Sequence, residues 1–223
     1  GQAWASSAKL APQPAELGSV AFPDLRGADS RAADLQMRSF AKWEAHRDAL
    51  AKDERLIGYY TFDSPNLIRD LSPSRGANHD GAVILAGPVD GRWAKHKRAL
   101  EFRRPGSRVR VNIPGEFSAF TFACWVRIDS LDRKFSALFM GDGYENGEPH
   151  WQLRNDGKIM LSVMVDDSRP SPYGKKDVSG FHWVYHSPSI WDMSMSGRWM
   201  HLASVFDPEN RKVSHFVNGQ LVD

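Results

Sequence analysis

Apolar and polar residues change places at every step between Phe120 and Ile128. Phe120, Phe122, Cys124, Val126 and Ile128 fall on one side; Thr121, Ala123, Trp125 and Arg127 fall on the other. A period of two in a segment rich in aromatic and β-branched side chains predicts a strand with one face in a core. The even positions, wholly apolar, are expected to meet a second sheet. The odd positions set one large ring, Trp125, among small and polar residues, as on a partly open sheet face. The rest of the chain is arranged around this segment, which extends from Phe117 to Leu131.

Upstream the period differs. Residues 1–30 are rich in Ala, Pro, Ser and Gly without regular spacing, and Pro12, Pro14 and Pro23 interrupt any element. They read as a linker or the end of an upstream domain. Residues 31–55 read as one amphipathic helix, predicted over Ala32 to Lys52, with Asp29 or Ser30 available as its cap. Phe40, Trp43, Arg47 and Leu50 share one stripe of it, suited to docking on the following domain or, alternatively, on a partner.

From residue 56 the short period returns. Strands are predicted at Leu56 to Phe62, Ala82 to Leu85, Ala99 to Phe102, Arg108 to Ile113, Ala137 to Met140, His150 to Arg154, Lys158 to Val165, Trp199 to Phe206 and Val213 to Val217. Gly87-Pro88 and Asp90-Gly91 read as turns, and Asn66 to Gly81 and Asp166 to Gly180 as polar loops. Asn155-Asp156-Gly157 and Asn218-Gly219 are hairpin turns. Short strands punctuated by turns, with almost no helix after residue 55, predict an all-β antiparallel sandwich or barrel over 56–223. The last strand has three residues before Asp223, too few to pair well, so the domain is expected to continue beyond it.

Composition narrows the function classes. A net charge of +2 argues against a global field for nucleic acid or an anionic membrane. Apolar runs fall short of the roughly 20 residues a spanning helix needs. The single cysteine, Cys124, excludes an internal disulfide and sits on the core face, where a thiol acts as a small hydrophobe. The chain starts without Met and without a secretory signal, as a piece of a longer protein would.

Taken in order, LIGYYTFD, DGAV, GRWAKHKRALEF, RVRVNIPGEFSAFTFACWVRIDSL, HWQLRNDGKIMLSV, RWMHLASVFD and HFVNGQLV resemble the laminin G-like, concanavalin A-like jelly roll. The likeness is nearest to copies attached to FecR-type bacterial envelope proteins, and the helix around Trp43 fits that arrangement. The resemblance implies a jelly-roll sandwich behind one N-terminal helix, lacking its last strands here. It implies a non-catalytic recognition module for a glycan or a surface protein, with a parent protein that carries an upstream domain and is exported to the periplasm, envelope or outside. A structural spacer or dimerisation module of such a regulator is an alternative. So is glycoside hydrolysis, since the fold hosts both lectins and glycosidases.

Hydrolysis needs two carboxylates about 5 Å or about 6.5–9.5 Å apart, and the E-x-D-x-x-E string of glucanase relatives is absent. No nucleophile elbow, phosphate loop or zinc-binding helix motif occurs either. Calcium is a candidate ion, because hard cations take oxygens from flexible loops. Asp142, Glu145, Asn146 and Glu148 offer such oxygens in a Gly-rich loop, and Asp63, Asp70 and Asp80 form a second group; both also suit plain turns. A basic run from Arg92 to Arg110 includes Arg103 and Arg108, which could fork onto acidic glycans or simply face water from strands. Nucleic acid is not expected as the partner of this run. Sugars stack on open rings, which nominates Trp125, Trp151, Trp183, Tyr185 and Trp191, the last three in an expected irregular stretch after Gly180. His150 and Gln152 flank Trp151 as donors.

Overall fold

The computed structural model describes residues 25–63, 66, 68–73, 79–143, 145–170 and 179–223. Most of the predicted linker, parts of the two predicted polar loops and Tyr144 lie outside the described residues. The protein is mostly β, with twelve strands in antiparallel sheets and one N-terminal α-helix among those residues. It forms two compact units, Gly1–Ile113 and Pro114–Asp223. No helix of the described residues is long and apolar enough to cross a membrane.

In the first unit, helix α1 spans Leu25–Leu50. It begins earlier than predicted, and Asp29 and Ser30 lie inside it rather than at its cap; nothing between Pro23 and that point breaks a helix. The predicted stripe does pack. Phe40 stacks on Trp43 at 5.6 Å, and both rings meet Trp93, 5.6 Å and 5.2 Å away. Trp93 is 5% exposed. It belongs to the turn joining strand β2 to β3, so aromatic burial fixes the helix to a hairpin.

Strand β1 (Ala82–Ile84) pairs with β4 (Arg108–Arg110), and β2 (Gly87–Gly91) pairs with β3 (Ala94–Glu101). Gly87-Pro88 and Asp90-Gly91, predicted as turns, are therefore strand. The turn is Arg92-Trp93 instead, and Pro88 is tolerated because this two-stranded ribbon leaves unpaired edges. The segment Leu56 to Phe62 forms no ladder. Side chains take up its polar groups: Asp70 Oδ1 accepts the Tyr59 N–H at 2.8 Å, and Ser72 Oγ donates to Ile57 O at 3.0 Å. Phe62, at φ 62°, turns the chain out of extended geometry.

In the second unit, β5 (Phe120–Arg127) edges a sheet ordered β12-β11-β10-β5, where β10 is Trp199–Asp207, β11 Lys212–Val217 and β12 Gln220–Leu221. A second sheet runs β6 (Phe135–Met140), β7 (Pro149–Arg154), β8 (Lys158–Pro170) and β9 (Ser179–Ser189). Strands β8 and β9 extend into the predicted Asp166 to Gly180 loop. Polar side chains alternating on a two-stranded end read as loop, yet Asp166 pairs with Phe181 and Pro170 with Ser179.

The alternation in β5 is realised: Thr121, Ala123, Trp125 and Arg127 are exposed, and their neighbours turn inward. Phe120, Phe122, Cys124 and Val126 pack on a core of Ile128, Trp151, Leu153, Ile159, Leu161, Trp191, Met200 and Leu202. Phe122 lies between Phe139, at 4.4 Å, and Trp151, at 5.9 Å. One polar chain crosses this core: Trp151 Nε1 donates to Ser204 Oγ at 2.8 Å, and Ser204 Oγ lies 2.7 Å from His215 Nδ1. Asn218 and Gly219 both have positive φ, 51° and 81°, as the tight hairpin turn between β11 and β12 requires.

Two outcomes follow from these facing sheets. Leu202, 0% exposed, should cost about 2–5 kcal/mol when cut to Ala, whereas Thr121→Ala on the outward face should stay within about 0.5 kcal/mol; equal shifts in denaturant midpoint would contradict the layering. Burial pushes the Cys124 thiol up to about 12, so a thiolate-directed reagent should label the native chain far more slowly than the denatured one.

Candidate functional site

The outward face of the β5–β10–β11–β12 sheet carries a half-exposed tryptophan, Trp125. Register sets it out. Trp125 sits opposite His201, Ala123 opposite Ala203, Ala203 opposite Phe216, and Phe216 opposite Leu221. Trp125 is 44% exposed, and the His201 ring lies 5.3 Å from it at a tilt of 58°. The two alanines make a low floor beside this indole–imidazole pair, bounded across the sheet by Phe216 and Leu221. Of the two, Ala123 is exposed and Ala203 is buried.

Charge is pushed to the rim of this face. Arg127 pairs with Asp129 at 3.1 Å. At the far end, Asp207 accepts from the backbone and side chain of Asn210 at 3.2 and 2.8 Å. The platform's open ring and polar edge suit stacking and hydrogen bonding.

The other nominated residues are distributed over different surfaces. Trp151 and Trp191 are core residues, 2% and 7% exposed, and neither offers a free ring face. Trp183 and Tyr185 lie on strand β9 rather than in an irregular stretch. They point the same way as Leu161, toward the interior side of their sheet, although Trp183 is 50% exposed. His150 and Gln152 occupy the reverse side of that sheet, in register with Ser162 and Met160. They are 5% and 7% exposed, and Gln152 Nε2 donates to Met140 Sδ at 3.1 Å. His182, 6.1 Å from His150, and His186, 3.1 Å from Arg154 Nη1, share that side. Burial lowers the affinity of both for a proton, and Arg154 and Lys158 lower that of His186 further.

The Gly-rich loop folds on itself. Glu148 Oε2 accepts the Gly143 N–H at 2.9 Å, and Asn146 Oδ1 accepts the Asp167 N–H at 2.8 Å. Two of the four oxygen-bearing side chains nominated for calcium thus hold backbone instead. No group of three His, Cys, Asp or Glu residues among the described ones converges to hold a metal. Asp70 and Asp80 likewise accept backbone N–H groups, from Tyr59 and Asp70 respectively, at 2.8 Å.

The basic run, in the first unit, separates into two kinds. Arg92 lies 3.9 Å over Trp93, and burial pulls its guanidinium down to about 10. Lys97 is tied to Asp63 at 3.1 Å. The other cations whose side chains are described face water. Arg103 pairs with Glu101 at 2.9 Å, and Arg108 donates to Gly106 O at 3.0 Å. Arg103, with Arg104 and Glu101, lines an open cleft of 410 Å³ whose other wall is Leu85, Ala86 and Gly87.

His201 was not among the residues nominated from the sequence. The signal was present in WMHLASVF, where His201 takes a solvent-side position, but its placement beside Trp125 depends on strand register.

Two solved structures show limited similarity. Both are of the carbohydrate-binding module of Ruminococcus gnavus IT-sialidase, titled as CBM40 bound to alpha2,3 and to alpha2,6 sialyllactose. Each is 19% identical with a TM-score of 0.36, covering 48% of this chain and 53% and 54% of the respective solved chains. The chain thus spans about half the length of those structures, and superposition at that level carries no argument about ligand or site. No curated protein matches the chain. The family model of the concanavalin A-like lectin/glucanases superfamily matches residues 107–223, more than half of the chain and all of the sandwich built on β5. The chain therefore belongs to the concanavalin A-like lectin/glucanases superfamily.

Proposed function

We propose that the chain is a non-catalytic recognition module that binds a glycan on the outward face of the β5–β10 sheet. The observation that carries this reading is the half-exposed indole of Trp125 set beside His201 over the Ala123–Ala203 floor. An indole held open to water at a rigid strand position exposes apolar area that a sugar's C–H face covers well, while the imidazole supplies a polar contact at its edge. An exposed neighbour on the face, Thr121, carries a hydroxyl rather than a charge. The family hosts both lectins and glucanases, and the open indole on this platform favours the former.

The resemblance to modules of envelope proteins supports a place in a larger exported protein, in contact with surface polysaccharide. A surface protein as ligand is the second possible outcome of the same assay.

A glycan array run with the full chain should show saturable binding without release of reducing sugar. Trp125→Ala should weaken that binding by about tenfold or more, a loss of about 1.4 kcal/mol, with the unfolding midpoint nearly unchanged. Reducing-sugar release, or undiminished binding by Trp125→Ala, would overturn the assignment. Because no three acidic or histidine side chains converge at the platform among the described residues, a chelator should leave binding unaltered; loss on chelation would move the site to the loop of Asp142, Glu145, Asn146 and Glu148.

A further inference from the structure

The Trp151–Ser204–His215 chain has a direction that the geometry dictates. The indole Nε1–H only donates, so Ser204 Oγ is the acceptor at 2.8 Å. Ser204 is 0% exposed, and His215 Nδ1, 2.7 Å away, is its other side-chain partner among the described residues. The hydroxyl hydrogen therefore goes to Nδ1, which must be bare. Neutral His215 consequently carries its proton on Nε2. That atom is buried and has no hydrogen-bond partner among the described residues.

A second proton on His215 can enter only at Nδ1. There it would face Ser204 Oγ as a donor, alongside the Trp151 indole. The serine hydrogen would then lose its acceptor inside the core, and a charge would sit on a ring that is 1% exposed. Ser204 and His215 sit opposite each other on β10 and β11 of one sheet, with Trp151 facing them from the other, so the bond lost and the added charge both lie in the core between the layers.

We propose that Trp151, Ser204 and His215 form an acid-sensitive polar chain in the core of the Pro114–Asp223 unit, stabilising it while His215 is neutral and destabilising it once His215 is protonated. The ionisable and polar groups around the ring are consistent with this. Burial opposes the charge most and His186 on β9 opposes it further. Asp223 favours it, as does the Tyr185 backbone, which is close but outside hydrogen-bond geometry; the net effect lowers the ring below its usual value of 6.5. Trp151 and Ser204, on β7 and β10, bear no charge. For a histidine depressed in the folded state, stability is whole above the unfolded value of about 6.5 and declines as pH falls from there to the folded value. The chain is therefore intact at neutral pH and weakened in acid.

The test uses the full chain. Nitrogen chemical shifts of His215 at neutral pH should show Nε2 protonated and Nδ1 bare; a proton on Nδ1 would overturn the proposal. In denaturant unfolding between about pH 8 and about pH 5, the wild-type equilibrium should shift toward the unfolded state by about tenfold or more. His215→Gln should remove most of that shift. Full acid sensitivity in His215→Gln would also overturn the proposal. If that variant does not fold, the tautomer measurement on the wild type decides.

Discussion

The structure depends on the two sheets of the Pro114–Asp223 unit burying their facing side chains against each other. Phe122 is the point where that constraint is most visible, held between Phe139 and Trp151. Because strand side chains alternate, committing Phe120, Phe122, Cys124 and Val126 to the core commits Thr121, Ala123, Trp125 and Arg127 to water. A slip of one residue would exchange the two sets. The exposed position of Trp125 is thus a consequence of the same packing that buries Phe122, and the candidate site inherits its rigidity from the core.

The same geometry explains why the other tryptophans are not part of one site. Trp151 lies two positions from Leu153 on the core side of β7, and its indole N–H needs the buried Ser204. Trp191 follows β9 and closes the core at one end; a Cβ on Gly157, which has φ +76°, would meet the Trp191 carbonyl oxygen. Large rings bury the most apolar area per residue and are drawn inward first. An exposed one, with a polar ring at its side, is the more informative observation.

Much of the second unit was legible in the sequence. Alternation identified β5 and its two faces, and Asn-Gly and Asp-Gly identified both hairpin turns. What failed has physical causes. Leu56 to Phe62 has the composition of a strand, but Asp70 and Ser72 satisfy its backbone in place of a neighbouring strand. Gly87-Pro88 and Asp90-Gly91 are turn dipeptides by propensity, yet β2 needs only one partner and tolerates them on a short ribbon. The ends of β8 and β9 are polar because little covers them, so periodicity against a core was absent. Site residues were harder still. Trp125 could be nominated from its own strand, but His201 becomes its neighbour only through pairing of segments 76 positions apart.

The most direct test of recognition at this platform is an NMR titration of the isotope-labelled chain with a glycan that it binds. The account predicts that the Trp125 indole and the amides of Ala123, His201 and Ala203 shift together, while the Trp151 and Trp191 indoles stay in place. Shifts concentrated in the loop from Gly141 to Glu148, or on the His150 side of the other sheet, would contradict it.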